Sequence, residues 1–302
     1  MIADISQLRP IPSSSSEGNE YVSTKDPEAA LQDPLVARIF RYYVDNLASW
    51  YDLNDSKRHF EDIVPACARR NSLLLSAILA FSAASLSSST RKCQLWELAE
   101  SYHLESVQRL LSLTENIDAF RTGETLAAIC LLRSYEIISR ASRIDTDVAY
   151  CADETFPENV SAQNHLRGSY SLLASCPNEL GRGLIRAGFW NYLREDITVA
   201  LMEKRGLMIE LNDRHPPLTF DGEDDFANHI TYILGKTINR CLQQDGVPLN
   251  RNEWECLKEE VESWRASLPS SFEPIPTPDM YGESSFPCLW NTSKWHSMLS
   301  LS

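Results

Sequence analysis

Apolar residues recur along this chain at spacings of three and four, and no convincing run alternates them with polar β-branched ones. After Asp33-Pro34, Leu35, Ile39, Tyr42, Tyr43 and Trp50 follow at roughly helical spacing. The Asp-Pro pair predicts the helix start: an Asp side chain caps free N–H groups, and proline's missing donor costs nothing in the first turn. The run LLLSAILAFSAASL, Leu73 to Leu86, predicts a buried helix, too short and too serine-interrupted to span a bilayer comfortably. From about Thr90 one stripe carries Trp96, Ala99, His103, Val107 and Leu110, and the segment from Thr122, TGETLAAICLLRSYEIIS, predicts a central, covered helix.

Three more helices are expected downstream. One runs from about Arg182 to Gly206, with Ile185, Phe189, Tyr192 and Ala200 inward, Gly206 as its C-cap and a charged, wet opposite face. The next spans about Asp225 to Leu242, with Asp224 and Asp225 set against the positive end of its dipole. The last starts at Asn252, where Asn252 and Glu255 predict a capping box, and carries Trp254, Leu257, Val261, Trp264 and Leu268 before Pro269 stops it. From Pro274 to Pro287 the chain reads as extended. The fold class is therefore all-α, an irregular multi-helix bundle of helical hairpins, with no fixed repeat period. Residues 1–32, with Pro10, Pro12, Ser13 to Ser16 and Gly18, read as a flexible, disordered lead-in to a helical region over 33–302.

Composition narrows the function. The 302 residues carry 42 acidic against 28 basic side chains, a net charge of −14, while 43% are hydrophobic. That excludes a wholly disordered chain, and such an acidic surface repels phosphate backbones, so no direct DNA binding is expected from this chain. Eight cysteines, Cys67, Cys93, Cys130, Cys151, Cys176, Cys241, Cys256 and Cys288, form no CxxC and no zinc-type pairing with histidine, and read as buried free thiols. With no apolar leader after Met1, a reducing compartment is expected, and the sequons at Asn54, Asn159 and Asn291 read as chance.

Candidate chemistry is sparse. Gly181-Arg182-Gly183 with Gly188 has the wrong spacing for a phosphate loop and no strand before it. His103 and Glu136 sit in apolar surroundings and read as satisfied core residues. The acidic clusters Asp221 to Asp225 and Glu259 to Glu262 lack the glycine turn of a calcium loop and read as solvated faces. Trp190, Trp254 and Trp264 read as core or partner-facing anchors, since no basic groove accompanies them. No catalytic, cofactor-binding or metal-ligating residue is nominated, no cofactor is expected, and the chain does not read as an enzyme.

The order of segments carries a resemblance. DPLVARIFRYYVDNLASWYD, IVPACARRNSLLLSAILAFSAASL, YHLESVQRLL, TLAAICLLRSYEII, HLRGSYSLLAS, RAGFWNYLREDITVALMEKR and WECLKEEVESWRASLPSSFEPI follow one another over roughly residues 33–290. Together they resemble the regulatory domain of fungal-specific transcription factors, the helical region downstream of a zinc binuclear cluster. The resemblance implies a nuclear regulator of transcription that receives a small-molecule effector or a partner protein, works through other transcription factors or self-association, and binds no membrane. It also suggests control of a specialised metabolic gene cluster. Nothing upstream of Asp33 holds a cysteine, so the family's zinc and DNA contacts carry over to no residue here. FPCLWNTSKWH still resembles the family, but similar domains continue past SMLSLS. Truncation is therefore expected, with the faces of Trp254, Leu257 and Trp264 partly exposed and solubility lowered. The alternative is a non-transcriptional helical scaffold or small-molecule-binding module.

Overall fold

Helices formed by local capping and buried by apolar faces account for the architecture. The computed structural model describes residues 21–90, 93–113, 122–147, 183–209, 211, 222–242, 249–273, 275 and 293. Among them lie α1 (Pro27–Ala30), α2 (Pro34–Tyr42), α3 (Val64–Ala68), α4 (Ser72–Thr90), α5 (Cys93–Leu113), α6 (Gly123–Asp147), α7 (Gly183–Glu203), α8 (Glu223–Leu242) and α9 (Arg251–Ala266). No strand forms among the described residues, and the fold is all-α as the periodicity predicts. The lead-in up to residue 20 and nearly all of the extended Pro274–Pro287 segment lie outside the described residues.

The chain forms two units: Met1–Trp50 with Phe60–His165, and Tyr51–His59 with Leu166–Ser302. In the first, α4 is the hub, packed against α2, α3, α5 and α6. Leu74, Leu75, Ile78 and Leu79 have no exposed surface. By length and composition this helix could cross a membrane, contrary to the sequence expectation, yet 72% of its apolar window is buried in the protein. Asp33 caps α2 as expected, its carboxylate accepting the N–H groups of Leu35 and Val36 at 2.8 and 3.0 Å. The helix then widens into a π-turn over Tyr43–Leu47 and tightens into a 3₁₀ turn over Ala48–Trp50. These changes of pitch shift the register: Tyr43, Leu47 and Ala48 are buried, and Trp50 is left 69% exposed.

Residues 21–32 depart from the flexible reading. Asp26 caps α1, and Thr24 has no exposed surface. A carboxylate helps order this segment, beside the packing of the Tyr21 ring on Tyr102 and the burial of Ala30. Glu105 on α5 accepts the Tyr21 hydroxyl at 2.6 Å, the Ser23 hydroxyl at 2.7 Å and the Thr24 N–H at 3.2 Å. Arg109 pairs with Glu105 at 2.7 Å and donates to Thr24 Oγ1 at 2.6 Å and the Ser72 carbonyl at 3.0 Å. Burial raises the Glu105 pKa, but these hydrogen bonds and the Arg109 charge outweigh it and hold the group below its ordinary value.

In the second unit α8 packs against α7 and α9. Helix α7 does not stop at a Gly206 cap. Lys204 takes the left-handed conformation, φ 53°, and the Arg205 N–H reaches back to the Ala200 carbonyl at 3.0 Å. Its polar face is not wet either: Asp196, with no exposed surface, accepts the N–H groups of Met208 and Ile209 at 2.8 and 3.2 Å and lies 3.4 Å from the Arg205 guanidinium. A close approach fixes Gly235 on α8, where a Cβ would fall 2.7 Å from Leu211 Cδ1. The capping box of α9 forms two residues before the expected pair: Asn250 Oδ1 accepts the Glu253 N–H and Glu253 accepts the Asn250 N–H, both at 2.9 Å. Trp264 is buried and donates its indole N–H to the Phe226 carbonyl at 2.9 Å, while Trp254 is 58% exposed. Of the cysteines whose side chains are described, Cys130 is buried, Cys67 is half-buried, and Cys241 and Cys256 are exposed; the last two lie on outward positions of α8 and α9.

Candidate functional site

A polar cavity of about 200 Å³ lies within the second unit, walled by the 51–59 loop, the first half of α7 and the first turns of α8. The loop is shaped by its own polar groups. Asp55 Oδ1 accepts the Lys57 N–H at 3.1 Å, and its Oδ2 meets the His59 N–H at 3.0 Å and the His59 ring at 2.7 Å. Arg58 completes the turn at φ 54°, a left-handed conformation that a non-glycine residue seldom adopts. Burial pushes the Asp55 carboxyl up, but the hydrogen bonds and charge of His59 and the Lys57 N–H prevail and hold it low. The Asp55 hydrogen bond raises the His59 pKa against the opposing effect of burial.

Hydrogen bonds tie this loop to the two helices. Asp224 accepts the Ser56 N–H at 3.1 Å, Arg194 donates to the Tyr51 carbonyl at 3.0 Å, and Asn228 donates to the Asn54 carbonyl at 3.1 Å. Arg186 on α7 pairs with buried Asp225 on α8, whose other oxygen accepts the Gly222 N–H at 3.3 Å. The lining carries Lys57, His59, Arg186 and Arg194 beside Asp55, Asp224 and Asp225. Trp190 Nε1, Asn54 Oδ1 and Asn228 Oδ1, on residues of this lining, are buried against protein and have no hydrogen-bond partner among the described residues. The lining therefore carries both hydrogen-bond donors and acceptors, with Arg186 paired to Asp225 and His59 to Asp55.

The residues singled out from the sequence fall differently. Asp224 and Asp225, read as part of a solvated acidic face, line the cavity, and Asp225 is buried in an ion pair. Asp221 lies outside the described residues. Glu259 and Glu262 are exposed as expected, and Glu260 pairs with Lys236. Gly183, dismissed as a phosphate loop, lines the cavity at φ 70°, and Trp190 is buried beside it. His103 and Glu136 are brought together in the first unit, Nε2 to Oε1 at 3.9 Å, with the His103 ring stacked 4.4 Å from Tyr135. Among the described residues no three His, Cys, Asp or Glu side chains converge as a metal site. Sequence reasoning missed Asp55, Asn191 and Asn228, and treated Asn54 only as a sequon. Asn191, a polar residue enclosed by FW and YL, was the one visible signal.

A family model described as the fungal specific transcription factor domain matches residues 38–193. No curated protein and no solved structure matches the chain. The match begins in α2, runs across the helices of the first unit and ends inside α7. It covers more than half of the sequence and is narrower than the 33–290 span of the resemblance. On that match, the chain belongs to the fungal specific transcription factor domain family.

Proposed function

We propose that this chain acts in the nucleus as the regulatory part of a transcription factor, altering gene expression through partner proteins or self-association and not through DNA contacts of its own. The observation that carries this is the family match over residues 38–193. The net charge of −14 supports it, since an acidic surface opposes direct binding to a phosphate backbone. Its regulatory input is a small-molecule effector or a partner protein, and its output is control of a specialised metabolic gene cluster.

Fusing the chain to a heterologous DNA-binding domain tests the reading. The fusion is expected to raise or lower a reporter in a fungal host relative to the DNA-binding domain alone, and a tagged copy is expected to accumulate in the nucleus. An inert fusion together with an exclusively cytoplasmic tag overturns it in favour of a helical scaffold.

A further inference from the structure

The strap of residues 21–24 is held to α5 through hydroxyl groups, and a hydroxyl group is open to esterification. Glu105 accepts the Ser23 hydroxyl on Oε1 at 2.7 Å and the Tyr21 hydroxyl on Oε2 at 2.6 Å. The Arg109 guanidinium shares Oε1 at 2.7 Å and otherwise serves Thr24 Oγ1 and the Ser72 carbonyl. Burial favours the neutral carboxyl, but these donors and the Arg109 charge hold Glu105 ionised. One negative and one positive charge therefore offset each other here, and the Glu105 side chain is only 12% exposed. A second negative charge at this point would have its counterpart already taken.

Accessibility separates the three hydroxyls. Thr24 has no exposed surface, and Tyr21, although 39% exposed, lays its ring 5.2 Å from that of Tyr102. Ser23 is exposed and lies in a stretch, residues 21–23, with no helix to unwind. Past Lys25 the chain carries Asp26 and Glu28, both exposed, at the third and fifth positions after this serine. Acids so placed suit a serine kinase whose substrate groove is basic.

We propose that Ser23 is a phosphorylation site, the substrate of an acid-directed serine kinase, and that its phosphate releases residues 21–24 from Glu105. The γ-phosphoryl group of ATP is transferred: the bond from the γ-phosphorus to the oxygen that leaves with ADP breaks, a bond to Ser23 Oγ forms, and the hydroxyl proton passes to the base of the kinase and on to water. That proton is the one Glu105 accepts. The ester keeps no donor for the carboxylate and sets about 1.5 to 2 negative charges against it. Lys25, the neighbouring cation, is exposed, where an ion pair is worth little. Release uncovers Tyr102, which is 1% exposed while the strap is closed.

The inference stands apart from the transcriptional reading, and its test contains no reporter. The full chain is incubated with casein kinase II and ATP, and fragmentation in the mass spectrometer is expected to place phosphate on Ser23; phosphate found elsewhere and not on Ser23, or none at all, overturns the site. The consequence is read on the full chain with phosphoserine genetically encoded at position 23, by hydrogen exchange of the Thr24 N–H, which Glu105 accepts at 3.2 Å. Ser23→Ala loses the same donor, adds no charge and removes only an exposed hydroxyl, so it is expected to fold and sets the baseline. The phosphoserine chain is expected to exchange about tenfold faster than Ser23→Ala, the effect of like charges brought together, with the amides of α4 unchanged in both. Exchange no faster than in Ser23→Ala shows that the added charge opens nothing, and exchange slower than in the unmodified chain shows that the phosphate has drawn Arg109 to itself and tightened the strap. Either result overturns the proposal.

Discussion

The two units bury their central helices with different mixtures of side chains. Around α4 in the first unit the buried faces are almost wholly Leu, Ile, Ala and Phe, with small hydroxyls such as Ser76 and Ser82 among them. The interior of the second unit sets Asn191, Asp196, Asp225, Asn228 and Thr231 among apolar residues such as Phe189, Leu193, Ile197 and Ile233. An apolar core is tolerant, because burial is non-directional and roughly proportional to area. A polar interior holds only while each group keeps its partner, since an unpaired buried charge is far costlier than a missing methyl group. The first unit is thereby the more tolerant of substitution, and the second the more sensitive to loss of a single polar partner.

The sharpest way to break this contrast is to remove one partner from the polar interior. Asp196→Ala leaves the Met208 and Ile209 N–H groups without their acceptor, while Arg205 keeps the Glu203 carboxylate and the Gly206 carbonyl. A loss of about 2–4 kcal/mol is expected from the two orphaned donors, measured by urea denaturation. A loss below about 1 kcal/mol would show that solvent reaches these groups and that the polar interior is not a closed network.

Comparable in size is Leu79→Ala in α4, where the side chain has no exposed surface. The expected loss is about 2–5 kcal/mol from transfer and cavity together, and filling the hole by Leu79→Met should recover most of it. If Met is no better than Ala, this core is more specific in shape than an apolar interior of this kind requires.

Acidity gives the smallest and most selective probe. His59 gains stability from Asp55 below its ordinary pKa of 6.5, and this gain is lost as pH rises through the raised folded value. Asp55 contributes above its ordinary 3.8 and loses that contribution as pH falls through its lowered value. The loop is therefore tightest between about pH 4 and 6.5. In thermal melts carried from well below to well above that range, His59→Ala should flatten the pH dependence above about 6.5 while leaving the acid limb of Glu105 in the first unit unchanged. An unaltered alkaline limb in His59→Ala would mean that another group carries it.

Legibility follows sequence distance. The Asp33 cap and the covered α4 are decided within a few residues, and the sequence alone located both. The α9 cap was misplaced because Asn250 and Asn252 each have an acidic residue three positions on, and only the path of the chain into Arg251 selects Asn250. The stop of α7 was misread because Lys204, not a glycine, takes the left-handed turn. The cavity was invisible for a different reason. Its walls join residues 51–59 to residues 183–228, and its key groups are asparagines and a tryptophan, which match no catalytic or metal motif. Cys241 and Cys256, read as buried, are exposed because thiol burial is set by helix face and not by residue type.

The clasp of Tyr21, Ser23 and Thr24 on Glu105 has a meaning in time as well as in space. Thr24 and its acceptor are 81 residues apart, so a ribosome adding about 5–20 residues per second has made the first partner some 4–16 s before the second exists. The earliest described residues are locked only once α5 has been made. Throughout that interval the nascent segment is open to modifying enzymes, chaperones or proteases that find it closed in the finished protein.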